Sequence, residues 1–258
     1  KKYSIIYSIH GYRHNHKIRS TIAKFLIGLN LYLFADLVIT PSSFLKSEFS
    51  FLKEKNKLLF IGEDDDFFIE YSPPSFTDSK RIIFPGQFRT GKNQDMLIRV
   101  ISKYIDKTGD DNLALYLPGE GKNLKACKAL SKQLGLENKV FFPGFINRSQ
   151  MLQYYLMCQF AIVPSNVETF GHCITEPYLL GRVVITRPVG VARDIIIPGE
   201  TGYLFNTEEE LLENLLEVLF NNDRCNLISK NAFDRRDAFR WENICDRYLE
   251  LINELRPS

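Results

Sequence analysis

Short apolar runs alternate with longer stretches of helical periodicity along nearly the whole chain. Residues 3–9 read as a buried strand ending at His10-Gly11, and residues 17–34 carry the spacing of a helix. Residues 37–40 form a short strand, and Pro41-Ser42-Ser43 caps a helix starting near Phe44. Residues 58–62 are another strand candidate. Residues 63–79 then bring Asp64-Asp65-Asp66, Pro73-Pro74 and several small polar residues, the composition of a linker. Beyond it the alternation is regular. Strands are expected at 81–84, 113–117, 139–142, 160–163, 183–186 and 203–205, with helices at 92–107, 122–134, 148–157, 173–180 and 191–197 between them. Such alternation predicts an α/β fold with a parallel, doubly wound sheet. Helices near 207–221, 223–239 and 241–255 finish the chain. No internal repeat or low-complexity tract is present.

The 258 residues are enough for two modest domains or one large one. Net charge is only +2, but residues 1–60 carry ten Lys or Arg against three acids, a surplus of +7 that leaves −5 for the rest. A basic first part suits an anionic partner such as phosphate, an acidic glycan or a membrane surface, and equally a solvated surface with no partner. Lys17, Arg19 and Lys24 interleave with Ile18, Ile22, Phe25 and Leu26. That pattern fits a helix resting on an anionic membrane, or one whose apolar face packs on a sheet. No recognition motif accompanies these cations, so nucleic acid is not an expected partner. Five cysteines with no CxxC pair and no zinc spacing fit reduced thiols in a cytoplasmic protein. No signal-peptide pattern is seen, and the longest apolar run, 25–34, is too short and interrupted to span a bilayer.

The candidate chemistry sits in turns that follow strands. In Glu168-Thr169-Phe170-Gly171-His172-Cys173-Ile174-Thr175-Glu176, two glutamates with seven residues between them flank a Phe-Gly step where a strand gives way to a helix. Ligands of open α/β sheets bind at such an edge. Carboxylates there can accept from neutral hydroxyls, and free amides at a helix start can meet an anion. A nucleotide-sugar presents both. The same acids can also be simply exposed groups favoured by the helix dipole. Phe84-Pro85-Gly86-Gln87-Phe88-Arg89-Thr90-Gly91-Lys92-Asn93 follows the first strand of the second half. Gly86 permits close backbone approach, and Arg89 and Lys92 place positive charge beside a helix start, which suits a diphosphate. It is not a Walker A loop, because Asn93 stands where Ser or Thr is needed. Gly119 and Gly121 mark a third turn, and Gly190 with Asp194, then Gly199 and Gly202, a fourth; turn chemistry alone also accounts for each.

Taken together, these turns resemble the retaining GT-B glycosyltransferases of family 4. The resemblance rests on Gly86 with Lys92 six residues on, Val140-Phe141-Phe142-Pro143-Gly144, the Glu168/Glu176 pair around Phe170-Gly171, Gly190 with Asp194, and Gly199/Gly202. Phe239-Arg240-Trp241 before an amphipathic helix, His10-Gly11 after a strand, and the segment 35–42 are similar too.

The resemblance implies two Rossmann-like domains. Residues 1–66 would be the last part of an acceptor-side domain, incomplete in this chain. Residues 67–79 would be the interdomain linker, 80–240 the nucleotide-sugar-binding domain, and 241–258 a helix crossing back. It also implies roles. Lys92 would bind the donor diphosphate, Glu176 the ribose and Glu168 the transferred sugar. Gly86, Arg89 and Gly119 would line the donor site, and the amides of Gly171, His172 and Cys173 after Phe170 would contact sugar or phosphate. His10 would face the sugar from across the cleft.

The implied reaction is metal-independent transfer of a sugar, with retention, from a UDP- or GDP-linked donor to an acceptor hydroxyl, with no cofactor. The implied setting is surface polysaccharide or glycolipid assembly, with a glycan or lipid-linked acceptor, at the inner face of the membrane. A non-catalytic nucleotide-sugar-binding or scaffold subunit of the same fold is the competing reading. Three departures from the family pattern stand out, the first being Gly190-Val191 in place of the usual Gly-Gly. Gln87 replaces the usual Arg, with Arg89 as a possible substitute, and Asp194 replaces the usual Glu and is expected to shift the local sugar contacts.

Overall fold

The computed structural model describes residues 4–10, 17–76, 80–110 and 112–255, and of residues 17–25 the backbone alone. Gly11, and the side chains of Lys17, Arg19, Lys24, Ile18, Ile22 and Phe25 proposed for a membrane-facing surface, lie outside that description.

Among the described residues there are two parallel sheets. The first contains β1 (Ile6–Ser8), β2 (Leu37–Thr40) and β3 (Asn56–Leu58) in that order. Helices α1 (Lys17–Phe34) and α2 (Ser43–Glu48) belong to it. Because side chains alternate across a strand, β2 feeds two apolar clusters. Val38 packs with Leu31, Ala35, Leu45, Phe49 and Leu52, whereas Leu37 and Ile39 pack with Leu59 and with Ile244 and Leu251. Those last two come from the final helix, Trp241–Asn253, which lies on the first sheet. The strand expected at 58–62 is observed at 56–58. Leu59 N–H makes one more bond, to Thr40 O at 3.0 Å, and the backbone then leaves the sheet so that Glu63 N–H reaches Phe239 O at 2.9 Å.

The second sheet has six parallel strands: β4 (Lys80–Ile83), β5 (Leu113–Pro118), β6 (Val140–Gly144), β7 (Phe160–Val163), β8 (Val183–Thr186) and β9 (Tyr203–Leu204). Their spatial order is β6-β5-β4-β7-β8-β9. Strands β7 and β8 are buried along their whole length, as expected of a parallel sheet covered on both faces. The chain winds outward from β4 through β5 to β6, then returns to the other side of β4 with β7. The crevice outside the carboxyl ends of β4 and β7 is therefore the switch point where an open α/β sheet receives its ligand. Helices α3 (Gln94–Thr108), α4 (Leu124–Gln133), α5 (Arg148–Met157), α6 (His172–Leu179), α7 (Ala192–Ile195), α8 (Glu208–Val218) and α9 (Asn222–Asp234) accompany this sheet, and α10 is the final helix.

The segment between the sheets is not a free tether. Phe67 and Phe76 are buried in the second core, and Ser72 O accepts from Arg182 Nη2 at 3.0 Å. Arg182 is 3 % exposed and its other donors reach the carbonyls of Leu180, Leu156 and Cys158. Burial lowers its pKa to about 10. Arg182→Met strands these carbonyls in a dry site. It is expected to destabilise the fold by about 2–3 kcal/mol, read as a lower denaturation midpoint in urea at unchanged slope.

Candidate active site

The two turns at the switch point converge. Lys92 follows β4 and Glu168 follows β7, and Lys92 Nζ donates to Glu168 Oε1 at 2.5 Å. Both side chains are largely buried, at 11 % and 13 % exposure. The local backbone explains the aim of Lys92. It stands between Gly91 and Asn93, both left-handed, with φ of 89° and 58°. Asparagine tolerates that conformation better than most residues. The Asn93 side chain donates to Pro164 O at 2.8 Å and Asn166 Oδ1 at 2.7 Å, and Asn166 N–H donates to Gly91 O at 2.8 Å. The lysine turn is thus stitched to the glutamate loop before any ligand arrives.

Phe170 and Gly171 lead into α6. Gly171 has φ 104°, a conformation that favours glycine, and the helix begins at His172. The N–H groups of His172 and Cys173 belong to the first turn, which has no intrahelical acceptor, so they are available to an anion. Behind them, a Cβ on Gly190 would lie 2.1 Å from Phe170 O, and Val191 N–H donates to that same carbonyl at 2.8 Å. Glycine at 190 is what lets the fourth turn support the Phe-Gly step. Cys173 Sγ lies 4.0 Å from Glu168 Oε1, and burial pushes its thiol well above the usual range, which leaves it a packing group and not a nucleophile.

One helical turn on, Glu176 Oε2 accepts from the Tyr155 hydroxyl at 2.8 Å. Burial raises the Glu176 pKa to about 7, against the lowering effect of the Tyr155 bond, and the carboxylate of Glu63 adds to the rise. Glu63 itself was grouped with the linker on composition. It is 2 % exposed and receives a hydrogen bond from the Thr175 hydroxyl, with His172 Nδ1 at 2.9 Å. Ligand atoms of Glu63, His172 and Glu176 fall within 4.8 Å of one another, close enough to surround a cation. The Glu63 oxygens, however, are already matched by His172 and Thr175, so the group is self-satisfied.

Of the remaining site residues named from sequence, Gly86 borders the Lys92 stem, a Cβ there lying 3.8 Å from the lysine Cδ. Gly86 and Gly119 pack backbone to backbone, since a Cβ on Gly119 would meet Gly86 O at 2.1 Å. Their N–H groups are committed to Pro118 O and Gly144 O, so they offer close approach and no free donor. Arg89 is exposed, and its side chain has no hydrogen-bond partner among the described residues. His10 lies just beyond the carboxyl end of β1 with its Nε2 3.0 Å from Ser8 Oγ. Among the described residues it makes no hydrogen bond or ion pair with Lys92 or Glu168.

Contacts between distant segments hold the glutamate loop from the other side. Ser42 Oγ donates to Thr169 O at 2.6 Å, and Ser43 N–H donates to Asp194 Oδ2 at 2.9 Å. Arg193 lies over the Phe44 ring at 5.2 Å. The carboxylate of Asp194, whose place in the usual Glu position is expected to shift the local sugar contacts, accepts from the start of α2. Sequence reasoning missed these partners, along with Tyr155 and Asn93. The Pro-Ser-Ser step is legible in the sequence as a local cap and as part of the family resemblance but not as a contact to the glutamate loop; the cap forms, with Leu45 N–H donating to Ser42 Oγ at 3.2 Å.

Two parallel α/β units, with cation, acids and free amides gathered at the switch point of the second, define a protein of GT-B fold. The chain belongs to the glycosyl transferases group 1 family, whose model matches residues 65–235. It is 30 % identical over 240 residues to an N-acetylgalactosamine-N,N'-diacetylbacillosaminyl-diphospho-undecaprenol 4-alpha-N-acetylgalactosaminyltransferase of Campylobacter jejuni, covering 86 % of this chain and 64 % of that protein. It is 26 % identical over 215 residues to a GDP-Man:Man(3)GlcNAc(2)-PP-Dol alpha-1,2-mannosyltransferase of Dictyostelium discoideum, covering 74 % and 43 % respectively. The structure of Anabaena HepE in complex with UDP and glucose superposes with a TM-score of 0.81 at 20 % identity, over 98 % of this chain and 72 % of that one. The chain thus spans between about two-fifths and two-thirds of the length of these curated relatives.

Proposed function

We propose that the protein transfers a sugar from a nucleoside diphosphate donor to an acceptor hydroxyl, with retention of anomeric configuration, as a member of family 4. The observation that carries this reading is the meeting of Lys92 and Glu168 at the β4/β7 switch point, with Glu176 one turn into α6 after the Phe-Gly step. Lys92 and the amides of His172 and Cys173 compensate the diphosphate. Glu176 accepts from the ribose hydroxyls, Glu168 accepts from hydroxyls of the sugar, and His10 approaches from the first domain. As the bond from the anomeric carbon to the phosphate oxygen breaks, negative charge grows on the diphosphate, where fixed cations and dipoles lower the barrier. The acceptor oxygen bonds to the same carbon and gives its proton to the departing phosphate. Fixed positive charge at the diphosphate makes the reaction independent of a divalent metal in this proposal.

The relatives' names include a diphospho-undecaprenol and a dolichol-linked glycan, which favours a lipid-linked glycan as acceptor and a place at the inner face of the membrane. Among the described residues no helix is long and apolar enough to cross a bilayer. GDP appears in one relative's name and UDP in a structural neighbour's. Calorimetric titration with UDP, GDP and ADP, with and without magnesium, is expected to select one nucleotide without need of the metal. Incubation with the matching labelled sugar donor and a polyprenyl diphosphate-linked glycan is expected to give a retained glycoside. Binding without transfer to any acceptor would instead identify a non-catalytic nucleotide-sugar-binding subunit. Failure of every nucleotide to bind would overturn the proposal.

A further inference from the structure

Glu63 is a buried carboxylate to which the proposed reaction assigns no task. It leaves the first sheet after β3, and its backbone is pinned by the Phe239 carbonyl at 2.9 Å. Both of its oxygens face His172 Nδ1, at 2.9 and 3.0 Å, while the Thr175 hydroxyl donates to Oε1. With Nδ1 committed to a buried acid, the other ring nitrogen is left on the open side, and the His172 side chain keeps 53 % exposure. The ring stands at the first position of α6, beside Glu176.

We propose, building on the reading that Lys92 and Glu176 hold a nucleoside diphosphate donor, that Glu63 is a positioning residue: it holds the His172 ring as a cation with Nε2–H turned toward the donor's ribosyl-diphosphate. A buried carboxylate needs a counter-charge. The other cation near this ring, Arg148 at the start of α5, pairs with Asp64 at 3.1 Å. The groups facing the imidazole are Glu63 from the segment after β3, Glu176 and Thr175 from its own helix, Arg148 from α5, and the Phe170 ring edge-on at 5.3 Å. Two carboxylates against one guanidinium favour the imidazolium, and the His172 pKa is raised, chiefly by the Glu63 hydrogen bond. A protonated His172 adds a positive charge at the start of α6, in a site whose first glycine turn carries the neutral Gln87 and an exposed Arg89. The nearest signal in the sequence, a glutamate after a strand-end glycine, is indistinguishable from linker polarity until the second domain folds against it.

The test measures affinity of the full chain for UDP and GDP from about pH 5 to about pH 9, alongside an NMR titration of the His172 ring. In the wild type, affinity is expected to fall about tenfold as pH rises through the His172 titration, the loss of one charge-assisted contact. Glu63→Gln still offers an oxygen to Nδ1–H, so the ring stays in place. The alkaline fall and the NMR titration should both move to lower pH. His172→Gln, which keeps an amide donor for the Glu63 carboxylate, should bind about tenfold more weakly near neutrality and lose that limb of the profile. An unmoved profile in Glu63→Gln, or unchanged affinity and profile in His172→Gln, overturns the inference while leaving the donor site intact. No nucleotide binding by the wild type at any pH overturns the donor-site reading and this inference with it.

Discussion

Lys92→Met is expected to slow sugar transfer by about a hundredfold to a thousandfold, the usual consequence of removing one preorganised charge from the atoms where negative charge develops. The loss should appear mainly in kcat, because the diphosphate is more strongly charged once the glycosidic bond has broken. The same substitution should also destabilise the fold by about 3 kcal/mol, since it leaves the Glu168 carboxylate buried without its partner. These two effects separate in the double variant. Lys92→Met with Glu168→Gln removes the orphaned charge, so most of the lost stability returns, while transfer stays at or below the level of the single variant. Chemical denaturation and steady-state kinetics on the four proteins of this cycle check it. A lysine that mattered only for folding would leave kcat of the folded Lys92→Met single variant at the wild-type value.

Glu176→Gln should do the opposite to stability. The folded protein holds the Glu176 proton up to about pH 7, whereas the ordinary value is 4.5. A raised carboxyl pKa means that its contribution is fully present below the unfolded value and is lost as pH rises through the folded one. Glutamine escapes that loss and can still accept from the Tyr155 hydroxyl. At pH 8 the variant is therefore expected to melt about 2–4 °C higher, the shift that about 1 kcal/mol gives a domain of this size, with the advantage shrinking as pH falls below about 7. Nucleotide affinity should fall about tenfold to a hundredfold, because a neutral amide replaces a carboxylate that accepts from two ribose hydroxyls. Melting curves across pH and calorimetry on the same variant give both readings. A variant that is no more stable at high pH would mean that the carboxylate is better solvated than its burial implies. The site on this account is carried at a cost in stability, as functional sites commonly are.

The two titrations set opposite limbs for donor binding. Ionised Glu176 is wanted for the ribose, and protonated His172 for the diphosphate. Affinity is expected to peak between them.

Much of this was legible in the residues themselves. Strand runs such as 160–163 and 183–186 are continuous and apolar because both faces of a parallel sheet are covered, and each falls where that pattern put it. The Gly86–Lys92 and Glu168–Glu176 spacings carried the family resemblance, because a strand, a turn and a helix start are local events set by a few consecutive residues. What the turns do to one another was not local. Lys92 and Glu168 are separated by 76 positions and meet only because β7 returns to the far side of β4. Nothing in Gly91-Lys92-Asn93 states that Asn93 will bond to Pro164, or that the lysine will thereby be turned toward an acid.

Sequence by itself determined the α/β class, the order of elements and the chemical inventory, because hydrophobic period and turn residues act over short range. Only the tertiary structure decided which charges are paired and which are free. Glu63 looks like a linker acid until the second sheet buries it against His172 and Thr175. Asp194 looks like a sugar contact until α2 supplies the Ser43 amide to its carboxylate. Arg89 looks equivalent to Lys92 in the sequence, yet one is exposed without a partner among the described residues and the other is largely buried against Glu168. Burial and partnership are properties of how distant segments pack, and they set the charge state and reach of each group.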